Sequence, residues 1–447
     1  MKDSPPSDYG VARILSLSYP ILLSLLAQNI INVTDTAFLS RVGNIELGAS
    51  VMGGLCYICA FTVAFGFSVG AQILMARRNG EQSYAGIGSI MFQGCFFLLG
   101  MALVIFTILR AGSGVLMQGL VSNDEIRDAT QRFLNIRCMG FFFSFINVMF
   151  RAFYVAIART KILTANAIVM ASLNIVLDWA LIFGRAGMPA MGIEGAAIAS
   201  VAADAGSTIF FIVYTAFTMD VKKYGLNRPG SFNLPMLGRI LRISIFTMMQ
   251  QFITMLSFLC FFIVVERLGS KELAVGNITR SIYIVFFIPI NALSTVTGSL
   301  VSNAIGAGRS VMAMSIIRRT ALMSLSVSLV ISAIFVLFPQ AILGIYTSDP
   351  GMIEAAIPSI RVICAVMILS SAAAVCFNGV SGTGNTNHAL LIELAVMVFY
   401  CVYVYIIGIE MRMPVHICFT SEILYWGLTL LFCILYFKTG IWKGKKI

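Results

Sequence analysis

The sequence contains little charge and almost no histidine. Charged residues occupy 11% of its 447 positions, whereas a soluble globular domain has about 25%. Only two histidines occur, and neither an HExxH pattern nor a P-loop is present. These shortages exclude an ordinary soluble protein, and they argue against a zinc protease or an ATP-driven pump in this chain.

Cysteine is present without a pattern that would give it a function. Ten cysteines are scattered through apolar segments. Cys56 and Cys59 have the spacing of a thioredoxin-like redox motif, but no histidine and no second cysteine pair lies near them in the sequence. We therefore interpret the cysteines as small residues that pack between helices.

Long apolar runs account for most of the chain. Hydrophobic residues make up 59% of the sequence, in continuous runs of roughly 20–27 residues, the length that an α-helix needs to cross a bilayer. A membrane β-barrel would instead alternate apolar and polar residues in segments of about ten. The predicted fold class is therefore an all-α polytopic membrane protein with twelve transmembrane helices. The predicted spans lie near residues 13–40, 47–77, 86–110, 130–157, 161–184, 192–218, 238–266, 272–305, 312–338, 356–380, 386–408 and 415–437.

The two halves of the chain are similar in sequence. "RVGNIEL" at residues 41–47 recurs as "RLGSKEL" at residues 267–273, a shift of 226 positions. Two copies of a six-helix unit share one orientation in the membrane, and they form two lobes around a cleft that is typical of alternating access. We predict an N-terminal lobe (residues 1–218), a cytoplasmic inter-lobe linker (219–237) and a C-terminal lobe (238–447).

The basic residues of the loops indicate the orientation of the chain. Most of them, for example Arg77, Arg159, Lys222 and Arg309, fall in one set of alternate loops, whereas most loop acids fall in the other set. Because cytoplasmic loops carry the excess of Lys and Arg, both termini are predicted to be cytoplasmic. The net charge of +11 is spread along these loops, so no nucleic-acid partner is predicted.

Two aspartates lie inside the apolar runs. Asp35 belongs to the first predicted helix and Asp178 to the fifth. A carboxylate at the centre of a membrane helix costs about 2.5–3.5 kcal/mol, so it needs a partner, water, a proton or an ion. A rise of about 1.5 Å per residue from Arg13 and from Lys161 places both aspartates at similar depth in the outer half of the membrane. The two side chains are therefore predicted to meet.

Each of these aspartates has an amide side chain on the same helix face. Asn32 precedes Asp35 by three positions, and Asn174 precedes Asp178 by four. Hard cations such as Na+ prefer oxygen ligands, while closely spaced, desolvated carboxylates retain protons. The pattern therefore predicts an ion site and leaves the choice between H+ and Na+ open.

The internal repeat provides a comparison for this site. The positions equivalent to Asp35 and Asp178 in the second half are Phe261 and Val402. Because these positions are apolar in the second copy, helix packing alone does not require carboxylates there. The ion site is therefore predicted in the N-terminal lobe.

Several motifs resemble those of the MATE (multidrug and toxic compound extrusion) transporters. They are "DTAFLSRVG" at residues 35–43, "GFSVGAQILMARRNG" at 66–80 and, most specifically, "LNIVLDWALIFG" at 173–184. The resemblance covers nearly the whole chain. It implies two six-helix lobes in a V-shaped arrangement and secondary antiport of organic molecules, driven by H+ or Na+.

The resemblance also implies roles for individual residues. Asp35, Asn174 and Asp178 correspond to ion-coupling residues of that family, and they would be the metal ligands if the ion is Na+. No cofactor other than the coupling ion and no enzymatic activity are expected. The expected partners are small organic, often cationic compounds and membrane lipid, with no obligate protein partner. The expected location is the bacterial cytoplasmic (inner) membrane.

Other polar residues are weaker candidates. Pro20 lacks a backbone N–H inside the first helix and permits a bend there. Glu393 and Glu422 lie nearer the ends of the last two helices, where a solvated or capping role is expected. Candidates for an ion or substrate pocket are Asp204, Ser200, Gln28, Gln250, Gln251 and Tyr283.

Two other functions remain open. One is a flippase or exporter for a lipid-linked precursor or another specific metabolite of the same superfamily, which a cleft rich in arginine would favour. The other is a membrane enzyme such as an aspartyl protease, which two intramembrane aspartates suggest. The twofold repeat and the amide one turn before Asp178 favour transport over catalysis.

Overall fold

The computed structural model describes residues 9–121, 123–227 and 232–443. Within these ranges all regular structure is helical, and twelve helices are long and apolar enough to cross a membrane. The predicted fold class and the number of spans are therefore confirmed. The helices are α1 Val11–Leu39, α2 Asn44–Gly80, α3 Tyr84–Leu120, α4 Asp124–Ala156, α5 Lys161–Phe183, α6 Gly192–Thr218, α7 Leu234–Glu266, α8 Ser270–Gly306, α9 Val311–Leu337, α10 Pro350–Gly382, α11 Thr386–Glu410 and α12 Val415–Thr439.

Two helices begin earlier than their apolar runs because polar caps start them. Helix α4 begins at Asp124, and the side chain of Asn123 accepts hydrogen bonds from two of its first N–H groups, at 2.9 and 3.1 Å. Asp349 caps α10 in the same way, accepting from the N–H of Gly351 at 2.9 Å. A capping carboxylate or amide satisfies N–H groups that have no partner within the helix. These first turns are polar, so the hydrophobic pattern does not include them.

Short irregular segments interrupt the regular helices. Cys138–Gly140 forms a 3-10 turn inside α4, and Tyr405–Glu410 forms a π-helical turn at the end of α11. Helix α12 consists of Val415–Cys418 and Thr420–Thr439. A further short helix, Pro339–Leu343, lies between α9 and α10.

The chain divides into two compact units. The N-unit comprises Leu23–Asn79 and Ser83–Met248; the C-unit comprises the described residues up to Leu22, Gly80–Gln82 and those from Met249 onward. The predicted linker falls within the N-unit, and its residues 228–231 lie outside the described ranges. The chain ends, 1–8 and 444–447, also lie outside them, so the orientation of the termini stays a prediction.

Helices α5 and α6 of the N-unit pack closely because Gly195 has no side chain. A Cβ atom at Gly195 would lie 2.8 Å from the backbone carbonyl of Leu181. The turn between the helices begins at Gly184, whose φ of +66° favours glycine. The N–H of Met191 donates to the carbonyl of Leu181 at 2.8 Å. This contact holds the end of α5 against α6 one turn beyond Asp178.

The C-unit has its own apolar core. Phe261, Val265, Ile360, Met367 and Tyr400 are buried members of one cluster, which draws on α7, α10 and α11 among other helices. Phe261, the repeat counterpart of Asp35, packs its ring 5.0 Å from that of Phe419. An aromatic core contact therefore occupies the position where the N-terminal half carries an acid.

Candidate functional site

A cavity of about 420 Å³ lies within the N-unit. Pockets of roughly 300–1,000 Å³ are typical of small-molecule sites. Its walls come from α1, α2, α4, α5 and α6. The cavity therefore lies among the helices that carry most of the predicted site residues.

Helix α1 presents one face to this cavity. Ser24, Gln28, Ile31, Asn32 and Asp35 all line it, at the spacing of three to four residues that places side chains on one side of a helix. Gln28, Asn32 and Asp35 were predicted from the sequence, and the structure places all three at the same cavity.

Helix α5 contributes the second half of the predicted ion site. Asn166, Met170 and Asn174 line the cavity along one face. Asp178 lies one turn further along and is completely buried, with 0% of its surface exposed. Asp178 therefore lies behind the cavity wall rather than on it.

The carboxyl groups of Asp35 and Asp178 lie within hydrogen-bonding reach of each other. Ionised carboxylates only accept, so this contact is a hydrogen bond only when one of the two groups carries a proton. Oδ1 of Asp35, Oδ1 of Asn174 and both carboxylate oxygens of Asp178 are buried without a described N–H or O–H donor. The predicted meeting of the two aspartates is confirmed, and it leaves four oxygens that a proton or a small cation would satisfy.

Asp204 also lines the cavity, but its charge already has a partner. Nη1 of Arg137 lies 2.8 Å from Oδ2 of Asp204, and the guanidinium of Arg137 stacks 3.8 Å above the ring of Tyr57. Arg137 also interacts electrostatically with Asp35. Asp204 and Arg137 thus form a buried ion pair, which distinguishes Asp204 from the acids that lack a cation in contact.

The sequence reasoning did not identify the two arginines of this cavity, Arg137 and Arg151. Both lie in α4 and line the cavity wall. An arginine inside an apolar run is the signal that would have identified both, because such residues usually face a bundle interior or a cavity.

Hydrogen bonds join other polar side chains of the cavity. Ser200, a predicted pocket residue, lines it. Asn166 and Ser207 pair at 2.9 Å. Oδ1 of Asn147 accepts from the hydroxyl of Thr208 at 2.8 Å, and its amide donates to the Asp204 carbonyl at 3.0 Å. Asn147, Asn166 and Ser207 therefore have partners within the N-unit.

The remaining pocket candidates belong to the C-unit. The hydroxyl of Tyr283 donates to Glu422 at 3.4 Å and accepts from the Trp426 indole at 3.1 Å. The side-chain oxygen of Gln250 is buried without a described donor, and Gln251 is half-buried on the same helix. The structure does not place these residues in the N-unit cavity, so their part in a site stays a prediction.

Glu393 does not have the solvated or capping role expected for it. It is buried, and its carboxylate accepts hydrogen bonds from Tyr425 at 2.8 Å and from Thr254 at 2.9 Å. Glu422 similarly accepts from Tyr400 at 3.2 Å. Position near a helix end did not imply contact with water, because hydroxyl donors from neighbouring helices replace it.

Helix α1 is continuous through Pro20. The division between the two compact units falls shortly after it, between Leu22 and Leu23. A bend at Pro20 during transport therefore stays a prediction.

Comparisons with known proteins agree with the fold and the repeat. The family model described as MatE matches residues 20–180 and again residues 247–406, and the two matches begin 227 positions apart. A probable multidrug resistance protein NorM of Thermotoga maritima is 24% identical over 383 residues, covering 85% of this chain and 82% of that protein. One of Photorhabdus laumondii is 24% identical over 366 residues, covering 80% and 79%. A MATE crystallised in complex with MaL6 superimposes with a TM-score of 0.86 at 18% identity, covering 96% of each chain.

Proposed function

The chain belongs to the MATE transporter family, and from that premise we propose that it is a multidrug-type secondary antiporter. It exports organic compounds, lipophilic and often cationic, in exchange for H+ or Na+. The relatives named as multidrug resistance proteins support this assignment. The chain is an integral membrane protein, and we place it in the bacterial cytoplasmic membrane with both termini in the cytoplasm.

One observation carries the proposal: the four buried oxygens of Asp35, Asn174 and Asp178 that no described donor satisfies. Buried polar groups almost always have partners, so such a group needs a specific explanation. Other buried acids of this protein do have partners: Asp204 pairs with Arg137, and Glu393 accepts from hydroxyl groups. An acid pair without a permanent cation is suited to gain and lose a small positive ion.

The cavity wall supports organic compounds as the exported molecules. Tyr57, Phe61, Phe133 and Met170 all line it. Aromatic rings offer large apolar contact areas, and methionine adapts to ligands of different shapes. Such a wall suits flat lipophilic compounds of several kinds.

We propose that ion binding and substrate binding favour different states of the N-unit. An ion at Asp35, Asn174 and Asp178 neutralises the site and favours the state that releases the organic compound outside. A ligand shifts a conformational equilibrium only through its different affinities for the two states. Exchange is obligatory when the ion and the compound do not stabilise the same state.

Transport in proteoliposomes tests the proposal. We expect efflux of a fluorescent organic cation to follow an imposed gradient of H+ or of Na+ in the wild type, and to lose that dependence in Asp35→Asn and Asp178→Asn. Asp124→Asn is the matched control, because Asp124 is exposed and only pairs with Arg127, at 2.7 Å. Unchanged gradient dependence in both site variants would show that the ion-coupling assignment is wrong.

A flippase for lipid-linked compounds is the second candidate, and one observation favours it. Arg151 lines the cavity without a carboxylate partner among the described residues, and an arginine of this kind suits the phosphate of a lipid-linked precursor. Transport of soluble organic compounds without any effect of added lipid phosphates would count against this candidate.

A further inference from the structure

Arg151 differs from the other charged residues of the N-unit cavity. Among the described residues it takes part in no ion pair, and its one described contact is with the ring of Phe65, whose centre lies 5.3 Å from Cζ. Arg137, by contrast, is satisfied by Asp204 at 2.8 Å. Of the two arginines that line this cavity, Arg151 has its hydrogen-bond donors available.

The amides of Asn147 and Asn166, which line the same cavity, do not compensate the charge of Arg151. Asn147, one turn earlier on α4, bonds to Thr208 and to the Asp204 backbone, and Asn166 bonds to Ser207. The part of the cavity wall around Arg151 therefore combines satisfied amides with one unsatisfied cation. An arginine in an apolar environment almost always has a partner or faces water or a ligand.

Arg151 also lies far along α4 from Arg137, the arginine that pairs with an acid of the cavity. It follows Arg137 by 14 positions on α4, which corresponds to roughly 21 Å along a helix. Arg137 contacts the carboxylate of Asp204 and interacts with Asp35, whereas Arg151 forms an ion pair with neither acid among the described residues. An anionic group at Arg151 therefore does not have to displace the carboxylate of Asp204, which pairs with Arg137.

We propose that Arg151 is an anion subsite that binds the acidic group of a transported organic compound. Its guanidinium offers a planar pair of donors that matches a carboxylate or phosphate. Met170 and Phe211, which also line the cavity, supply apolar contact for the rest of the molecule. That the compound is transported rests on the proposed function; that an anion binds at Arg151 does not.

A pair of probes that differ only in charge tests the subsite. Binding of 2-naphthoate and of 2-naphthamide to the purified full-length protein is measured by equilibrium dialysis. We expect wild type to bind the carboxylate roughly tenfold to a hundredfold more tightly than the amide, since a charge-assisted hydrogen bond increases affinity by about this factor. Arg151→Met should lose the preference, and Arg151→Lys should keep part of it because the charge remains.

Arg280→Met is the matched control. Arg280 belongs to the C-unit, and its guanidinium likewise contacts aromatic rings, 4.9 Å from Phe262, without an ion pair among the described residues. We expect this variant to keep the preference for 2-naphthoate. A preference that persists in folded Arg151→Met, or that wild type lacks, overturns the subsite.

Competition identifies the source of the anion. Displacement of 2-naphthoate by dihexanoyl phosphatidate but not by inorganic phosphate assigns the subsite to lipid headgroups, and displacement by neither assigns it to soluble carboxylates. Both results support an anion subsite if Arg151→Met also loses the preference for 2-naphthoate over 2-naphthamide. If wild type shows no gradient-driven efflux but still prefers 2-naphthoate, the antiport proposal is rejected and the anion subsite is still supported.

Discussion

Replacement of two aspartates of the N-unit should change stability in opposite directions. Asp178 is completely buried, and neither of its oxygens has a described donor. In Asp178→Asn the unsatisfied charge disappears, and the new amide can donate to the carboxylate of Asp35. An unsatisfied buried polar group costs about 1–3 kcal/mol and more when charged. We therefore expect Asp178→Asn to raise the free energy of unfolding by at least about 1–3 kcal/mol under conditions where the wild-type pair binds neither a proton nor a metal ion.

Asp204→Asn is the matched comparison. It also removes one buried negative charge from the N-unit, but it leaves Arg137 buried without the carboxylate that lies 2.8 Å away. Breaking a buried ion pair by removing one partner costs about 3–5 kcal/mol. The two variants should therefore differ by about 4–8 kcal/mol, with opposite signs relative to wild type.

Thermal unfolding in detergent, followed by tryptophan fluorescence, measures both effects. The wild type should gain stability on addition of the coupling ion, by about 2.7 kcal/mol at a hundred times its Kd, and Asp178→Asn should lose this gain. Without the ion, Asp204→Asn should unfold at a lower temperature than wild type. If Asp178→Asn is destabilised as strongly as Asp204→Asn, the carboxylate of Asp178 has a permanent partner and the reasoning about its role is refuted.

Two further predictions concern packing. Tyr425→Phe removes a hydrogen-bond donor to the buried Glu393 and should lower the free energy of unfolding by about 1.5–3 kcal/mol. The control Tyr19→Phe changes a tyrosine that is 62% exposed and should have little effect. Equal effects of the two variants in thermal unfolding would contradict this prediction. Gly195→Val places a side chain against the Leu181 backbone, because a Cβ there would lie only 2.8 Å from it. The variant should lose about 1–3 kcal/mol or more of unfolding free energy, and it should lose ion-dependent stabilisation because α5 must move. The control is Gly100→Ala on α3, where a Cβ meets open space and ion-dependent stabilisation should be unchanged.

Much of the fold could be predicted because hydrophobicity along the chain determines which segments can cross a bilayer. Helix ends that depend on a cap, such as the start of α4 after Asn123, could not be predicted, since a polar first turn carries no apolar pattern. The meeting of Asp35 and Asp178 could be predicted from depth, because the rise of a helix converts sequence distance into height. The two carboxyl groups do lie within reach of each other.

Partners that lie across helices could not be predicted in the same way. The pairing of Arg137 with Asp204 depends on the rotation of α4 against α6, which the spacing of residues within either helix does not determine. The same applies to Glu393, whose carboxylate accepts from the hydroxyl groups of Tyr425 and Thr254. Position along the helix alone assigns Glu393 to water or to a cap, whereas the packed structure provides hydroxyl groups at the same height.

The contrast between paired and unpaired acids gives a reason for proposing the ion site in only one half of the molecule. A paired acid such as Asp204 is fixed, because losing Arg137 would leave a buried charge. An unpaired acid such as Asp178 is stable only with a proton or a cation, so its surroundings must differ between the loaded and the empty site. In the C-unit, Phe261 occupies the position equivalent to Asp35 and packs against Phe419, an apolar contact that no ion changes. Introducing the aspartate there should therefore damage the core without creating an ion site, and Phe261→Asp should unfold at lower temperature with or without the coupling ion.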